Sequence, residues 1–116
     1  MSDAGGGSGP SREDRARALL RELWLRNRST TLERLAVVGS ALTALAGGAL
    51  DAETRLTALG EAHKLRGILG TYGFDEGSVL AEHAERALEG TDSADAESLG
   101  DLAETLADYA RTLEHQ

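Results

Sequence analysis

The spacing of apolar residues constrains the fold of this chain more than any other feature. From Ser11 to Leu113 apolar residues recur every three or four positions, and no stretch shows the two-residue alternation of a half-buried strand. The one proline, Pro10, lies ahead of this region, so no proline breaks a helix within it. Apolar residues at this spacing share one face of a helix, which must pack against other helices. The sequence therefore predicts an all-α fold.

Caps and glycines divide the region into five predicted helices. The first covers about 11–27, and the second begins at a capping box formed by Thr30 and Glu33 and ends at Gly47 and Gly48. The later three are a helix from Asp51 to about Tyr72, a helix from Asp75 to Gly90, and a last helix that begins at Asp92, Ser93 or Asp95 and reaches Leu113. Short connections between the last four favour an antiparallel up-down-up-down four-helix bundle with an additional N-terminal helix.

Length and composition limit the classes of function. The 116 residues fit one domain at 11–116, preceded by a flexible Gly- and Ser-rich tail at 1–10. A net charge of −8 argues against nucleic-acid binding, and no apolar run approaches the roughly 20 residues that span a membrane. Cysteine is absent, so a thiolate metal site is impossible, and acidic runs are expected to be solvated helix starts rather than metal sites. A cytoplasmic protein is the expectation.

The third predicted helix carries the residues that indicate a function. On a wheel of about 100° per residue His63 is predicted to face outward, because the side chains that would face the core fall opposite it, namely Ala58, Ala62, Leu65, Leu69 and Tyr72. Gly60, Gly67 and Gly70 lie within about 60° of His63. Each interior glycine costs a helix roughly 0.5 to 1 kcal/mol relative to alanine, so three on one face require a reason. We expect that another protein's active site approaches the imidazole closely; tight helix packing is the alternative.

Two basic residues and two leucines near His63 complete the predicted site. Lys64 and Arg66 place positive charge near His63, which suits an incoming phosphoryl group, and a neutral imidazole is a competent nucleophile. Leu56 and Leu59 fall on the same side of the wheel and predict an exposed apolar patch for partner docking. Burial of both leucines beneath the first helix is the alternative, and an inert surface histidine is the alternative for the site as a whole.

The stretch from Ala62 to Phe74 resembles the histidine phosphotransfer (HPt) domains of bacterial multistep phosphorelays. Their pattern reads Ala-His-x-Leu-Lys-Gly, a glycine three residues later, and then an apolar residue, glycine and an apolar residue. Every position matches, except that Arg66 stands where lysine is usual, and this exchange keeps the charge. The helix pattern extends the resemblance over nearly all of 11–113. Gly77 and Ala84 depart from it, because leucine is frequent at their positions in the fourth helix.

The resemblance implies a phosphoryl carrier. A phospho-aspartate of a response-regulator receiver domain would phosphorylate His63 on Nε2, and a second receiver would take the group. The chain would need no cofactor, because the receiver brings the magnesium, and it would be a monomeric stoichiometric carrier rather than an enzyme. Glu85 matches the position at which the phosphotransfer domains of chemotaxis kinases have a glutamate that hydrogen-bonds the other histidine nitrogen. An exposed glutamate without a role is the alternative.

Other readings of the sequence remain. The second hypothesis, nearest in fold, is the phosphotransfer domain of a chemotaxis-type or hybrid histidine kinase, which a kinase domain rather than a receiver would phosphorylate. A binding module of the same fold that is never phosphorylated is a third hypothesis. A purely structural bundle is a fourth, and it leaves the three glycines near His63 unexplained.

Overall fold

The computed structural model describes residues 9, 11–90 and 94–116. Within these ranges it contains no strand and has four helices: α1 (Arg12–Ala46), α2 (Ala52–Thr71), α3 (Asp75–Glu89) and α4 (Ala96–Leu113). The prediction of an all-α fold is confirmed. None of the described helices is long and apolar enough to cross a membrane. The predicted tail, apart from Gly9, and the candidate caps Asp92 and Ser93 lie outside the described residues.

The prediction of a separate N-terminal helix is wrong. The first two predicted segments form one helix, α1, of 35 residues. The capping box predicted at Thr30 and Glu33 does not form, because the helix continues through these residues. The neighbouring Thr31 is buried, and its hydroxyl donates to the carbonyl of Asn27 at 2.9 Å, so its polar group is satisfied within the helix. No glycine or proline lies between residues 12 and 38, and polar residues alone do not end a helix.

The other helix ends follow the sequence closely. A capping box forms at Ser11 with Asp14, ahead of the position where one was predicted. The side chains of Asp51 and Asp95 accept from backbone N–H groups three residues later, at 2.7 and 2.8 Å, and these hydrogen bonds lower the pKa of both carboxyl groups. Gly90 ends α3 with φ +78°, a left-handed conformation that favours glycine.

The four helices share one core. The most extensive contacts join α2 to α3 and α1 to α4, and α1 also packs against α2. Arg55, near the beginning of α2, donates from Nε to the carbonyl of Leu88 at the end of α3, which ties these opposite ends together. The largest buried aliphatic side chains come from every helix: Val38, Leu42, Leu65, Leu69, Leu88, Leu106 and Leu113.

Gly77 is explained by the contact between α3 and α4. A Cβ at Gly77 would overlap the ring of Tyr109, with its Cζ and hydroxyl oxygen only 2.9 Å away. The absence of a side chain therefore lets the tyrosine ring lie against α3. Burial in this contact raises the pKa of the Tyr109 hydroxyl. The departure from leucine at this position is thus compensated by an aromatic ring from the neighbouring helix.

The first three turns of α1 lie outside the core. Trp24 is 2% exposed and packs against Tyr72 and Phe74, with ring centroids 5.4 and 4.8 Å away. Every residue from 12 to 22 is exposed. We call residues 12–23 the overhang. An ion pair four residues apart, between Arg17 and Glu13, supports a solvent-exposed helix here.

Candidate functional site

His63 faces solvent from the middle of α2, as the wheel predicts. Its side chain is 72% exposed. The opposite side of the helix supplies core residues, namely Ala58, Ala62, Leu65 and Leu69. The apolar periodicity of α2 therefore fixes the imidazole on the surface, because turning it inward would expose four core side chains.

Glu85 of α3 connects His63 to Arg66. One carboxylate oxygen, Oε2, lies 2.9 Å from Nδ1 of His63, and the other, Oε1, accepts from Nη1 of Arg66 at 2.7 Å. The Glu85 side chain is only 12% exposed although both of its partners are surface residues. The contact predicted from the match to chemotaxis kinases is present.

The electrostatics of this triad determine which imidazole nitrogen carries a proton. The hydrogen bond from Arg66, followed by that from His63, lowers the pKa of Glu85, although burial opposes the shift. The same hydrogen bond raises the pKa of Arg66. An ionised carboxylate only accepts hydrogen bonds, so Nδ1 of His63 donates to it. In the neutral imidazole the unprotonated nitrogen is then Nε2.

The space around Nε2 is open. No described residue hydrogen-bonds to this nitrogen. A Cβ added at Gly60 or Gly67 would meet no atom of another described residue within 4 Å, and one at Gly70 would meet only the hydroxyl of Ser78 at 3.6 Å. Tight packing within the described chain therefore does not account for Gly60 or Gly67. The helix stability that these two glycines cost is consistent with a contact made by another protein.

The positive charges predicted beside His63 are both paired. Arg66 is held by Glu85, and Lys64 lies 3.3 Å from Oε2 of Glu61 on its own helix. Both carboxylate oxygens of Glu61 also accept from Nη1 of Arg34 on α1, at 3.1 Å each. The expectation that Lys64 and Arg66 stand ready for a phosphoryl group is therefore corrected in one respect: each is already paired with a carboxylate.

A groove between α1 and α2 adjoins this face. It has a volume of about 560 Å³. Gly67 belongs both to the groove and to the surroundings of His63, so the two are continuous. The lining combines polar and apolar groups from the two helices, namely Asn27, Thr30, Thr31, Arg34, Lys64, Gly67, Ile68, Thr71 and Tyr72. Neither this groove nor the pair of Arg34 with Glu61 follows from the sequence, because the register between the two helices is not contained in the periodicity of either one.

The two predicted docking leucines differ. Leu56 is 68% exposed, in agreement with the predicted patch. Leu59 is partly buried against the core, so the prediction that it is exposed is wrong. On the wheel Leu59 lies about 20° from Arg66, which reaches α3, and this side of α2 is therefore covered. A docking patch of both leucines does not exist, and the role of Leu56 stays a prediction.

The comparison with known proteins adds no relative. No family model, curated protein or solved structure matches the chain.

Proposed function

We propose that the chain is a histidine phosphotransfer protein of a bacterial phosphorelay. His63 accepts a phosphoryl group on Nε2 from a phospho-aspartyl receiver domain and passes it to another response regulator. One observation carries this proposal: Nδ1 of His63 is hydrogen-bonded to an ionised Glu85, while no described residue hydrogen-bonds to Nε2 and the side chain is largely exposed to solvent. A nucleophilic nitrogen that is held in one tautomer and left open is what transfer between proteins requires.

The transfer step balances without any further reactant. The lone pair on Nε2 attacks phosphorus, a P–N bond forms, and the P–O bond to the aspartyl carboxylate breaks. The carboxylate leaves with the electron pair, and the proton on Nδ1 stays in place. The imidazole ring becomes positively charged, and Glu85, 2.9 Å from Nδ1, stabilises that charge. The partner's receiver supplies the magnesium ion, so no metal site is needed in this chain.

The proposal includes the arrangement of the helices. We propose an antiparallel up-down-up-down four-helix bundle in which α1 is extended at its beginning. Two contacts support it: Arg55 near the start of α2 bonds to Leu88 near the end of α3, and Ser78 near the start of α3 donates to the carbonyl of Arg66 at 2.8 Å. The proposed role is that of a cytoplasmic, monomeric carrier, and the surface histidine of a bundle is accessible to two receivers in turn.

A phosphotransfer assay tests the proposal. The protein is incubated with receiver domains that have been phosphorylated with acetyl phosphate and magnesium, and acid-labile, base-stable label is measured. We expect label on the unmodified chain, its loss in His63→Gln, and its retention in His83→Gln, since His83 is an exposed histidine on α3 that serves as a matched control. Phosphorus NMR should assign the bond to Nε2 rather than to Nδ1.

The remaining readings of the sequence are outcomes of the same assay. Label that arrives only from a histidine kinase domain, and from no receiver, would identify the phosphotransfer domain of a chemotaxis-type or hybrid kinase. A protein that binds receivers but is never labelled would be a binding module. Label that persists in His63→Gln would refute the assignment of the phosphorylated residue.

A further inference from the structure

A small cavity lies where α2 ends and α3 begins. It has a volume of about 300 Å³, which is at the lower end of the range for small-molecule sites. Three aromatic residues contribute to its lining, namely Trp24, Tyr72 and Phe74. His63 lies nine residues before Tyr72, or about 14 Å along the helix, and does not line the cavity. The cavity is therefore a second place to look for a ligand.

Trp24 carries a polar atom that the described part of the chain leaves unsatisfied. The tryptophan is 2% exposed, and its indole Nε1 is buried without a hydrogen-bond partner among the described residues. Buried polar side-chain atoms nearly always have a partner, and the indole N–H can only donate. The missing partner is therefore an acceptor. Because Trp24 lines the cavity, a ligand bound there is placed to supply that acceptor.

The overhang gives the cavity a positively charged wall. On the α1 wheel Arg17, Leu20 and Arg21 lie within about 60° of Trp24, and all three line the cavity. The face of α1 that enters the core therefore continues along the overhang. Arg17 is paired with two carboxylates of its own helix. The side chain of Arg21 has no hydrogen bond or ion pair with any other described residue, so its guanidinium is available to a ligand.

The charge and the rings together select the chemistry of the ligand. Residues 12–28 contain six arginines and three acidic residues, whereas the whole chain has a net charge of −8. The positive charge at this end favours an anion. A guanidinium binds a carboxylate or a phosphate through parallel hydrogen bonds, and aromatic side chains favour a ligand with an apolar body. An aromatic carboxylate has both parts, and inorganic phosphate has only the first.

We propose that this cavity binds a small aromatic carboxylate. The carboxylate accepts hydrogen bonds from the guanidinium of Arg21 and from Nε1 of Trp24, and the ring of the ligand packs against Tyr72 and Phe74. Leu20, which is 39% exposed, moves aside to admit the ligand. Binding here does not require phosphorylation of His63. The overhang then has a role, because it forms one wall of the site.

The single tryptophan of the chain reports binding directly. The intact chain is titrated with phenylacetate and followed by proton–nitrogen correlation NMR, in which Trp24 gives the one indole signal. We expect the indole proton to move downfield and to saturate as the hydrogen bond to the carboxylate forms. Two further probes divide the ligand: phenylacetamide keeps the ring without the charge, and acetate keeps the charge without the ring. Each should bind at least about 10-fold more weakly than phenylacetate.

Matched variants test the face of the overhang. Arg21→Gln removes the proposed guanidinium and should raise the Kd for phenylacetate about 10-fold, because one charge-assisted contact is lost. Arg15→Gln removes the same charge from the same exposed segment, but Arg15 lies about 180° from Trp24 on the wheel, so the Kd should be unchanged. Both arginines are exposed, and thermal unfolding without ligand should show unchanged stability in both variants.

Four outcomes would overturn the inference. The first is an indole signal that does not respond saturably to phenylacetate. The second is equal binding of phenylacetate and phenylacetamide, because the positive wall would then take no part. The third is an equal loss of binding in Arg15→Gln and Arg21→Gln, which would show a diffuse attraction of anions to the overhang. The fourth is an indole proton that is already downfield and slow to exchange without ligand, because the chain itself would then supply the acceptor to Trp24.

Discussion

Alanine at the open glycines of α2 should stabilise the protein while impairing its function. A methyl group at Gly67 or Gly60 meets no other described residue within 4 Å, so only the helix propensity changes. The gain from glycine to alanine in a helix interior is about 0.5 to 1 kcal/mol at each position. For a domain of this size that corresponds to an increase in Tm of about 2 to 8 °C. The two positions are one heptad apart, about 10 Å, so the gains should add in the double variant.

The same substitution at Gly77 should have the opposite sign. Its Cβ would overlap the ring of Tyr109, which must then move away from α3. Such overpacking costs about 1 to 3 kcal/mol, which exceeds the gain in helix propensity. The substitution of alanine should therefore destabilise the protein at Gly77, which the fold needs, and stabilise it at Gly60 and Gly67, which the fold does not need. Gly77→Ala is the internal control for the Gly60 and Gly67 variants.

Chemical denaturation followed by circular dichroism measures the free energy of unfolding of each variant. A lower stability in Gly67→Ala would refute the reasoning from open space, because the methyl group would then be meeting a neighbour. The functional half of the prediction is that Gly67→Ala slows transfer from a receiver about 10- to 100-fold, because the donor phosphorus is displaced from Nε2. Unchanged transfer would show that close approach is not the reason for this glycine.

Two further predictions concern α1 and Glu85. Ser29→Pro should lower the free energy of unfolding by about 3 kcal/mol or more, because α1 is continuous through residue 29. Unchanged stability and unchanged ellipticity in this variant would show instead that the helix is broken near residue 29, as the sequence predicts. Glu85 has a lowered pKa, so its contribution to stability is present above its ordinary value of 4.5 and is lost as pH falls below that value. Glu85→Gln should therefore lose less stability on acidification than the unmodified chain, measured by denaturation at pH 3 and pH 6, and a steeper loss in the variant would contradict the ionised pair.

The sequence predicts local features well and relations between helices poorly. The caps at Asp51 and Asp95, the stop at Gly90 and the outward direction of His63 follow from rules that act within one or two turns. The predicted break near Thr30 is wrong for a local reason: a continuing helix also tolerates the sequence pattern of a capping box, since a threonine hydroxyl can bond to a carbonyl of its own helix, as Thr31 does.

The register between helices explains the remaining differences between the sequence predictions and the structure. The partial burial of Leu59 depends on where α3 lies around α2, and the pairing of Glu61 with Arg34 depends on how α1 is aligned with α2. Neither quantity follows from the periodicity of a single helix, since periodicity gives a direction but not a neighbour. For the same reason only the family resemblance indicates Glu85, which lies 22 residues from His63 in the chain.

Under the proposed function, Glu85 is more than a group that orients the imidazole. Before transfer its charge is shared between Arg66 at 2.7 Å and a neutral His63 at 2.9 Å. After transfer the ring is cationic, so the same carboxylate gains a charge-assisted hydrogen bond without any movement. Arg66 keeps the carboxylate ionised in both states, so Glu85 can stabilise the ring charge of His63 whether the phosphoryl group is being accepted or released. Because Glu85 bonds to Nδ1 both before and after transfer, the imidazole keeps one tautomer and one orientation whether it accepts or releases the phosphoryl group.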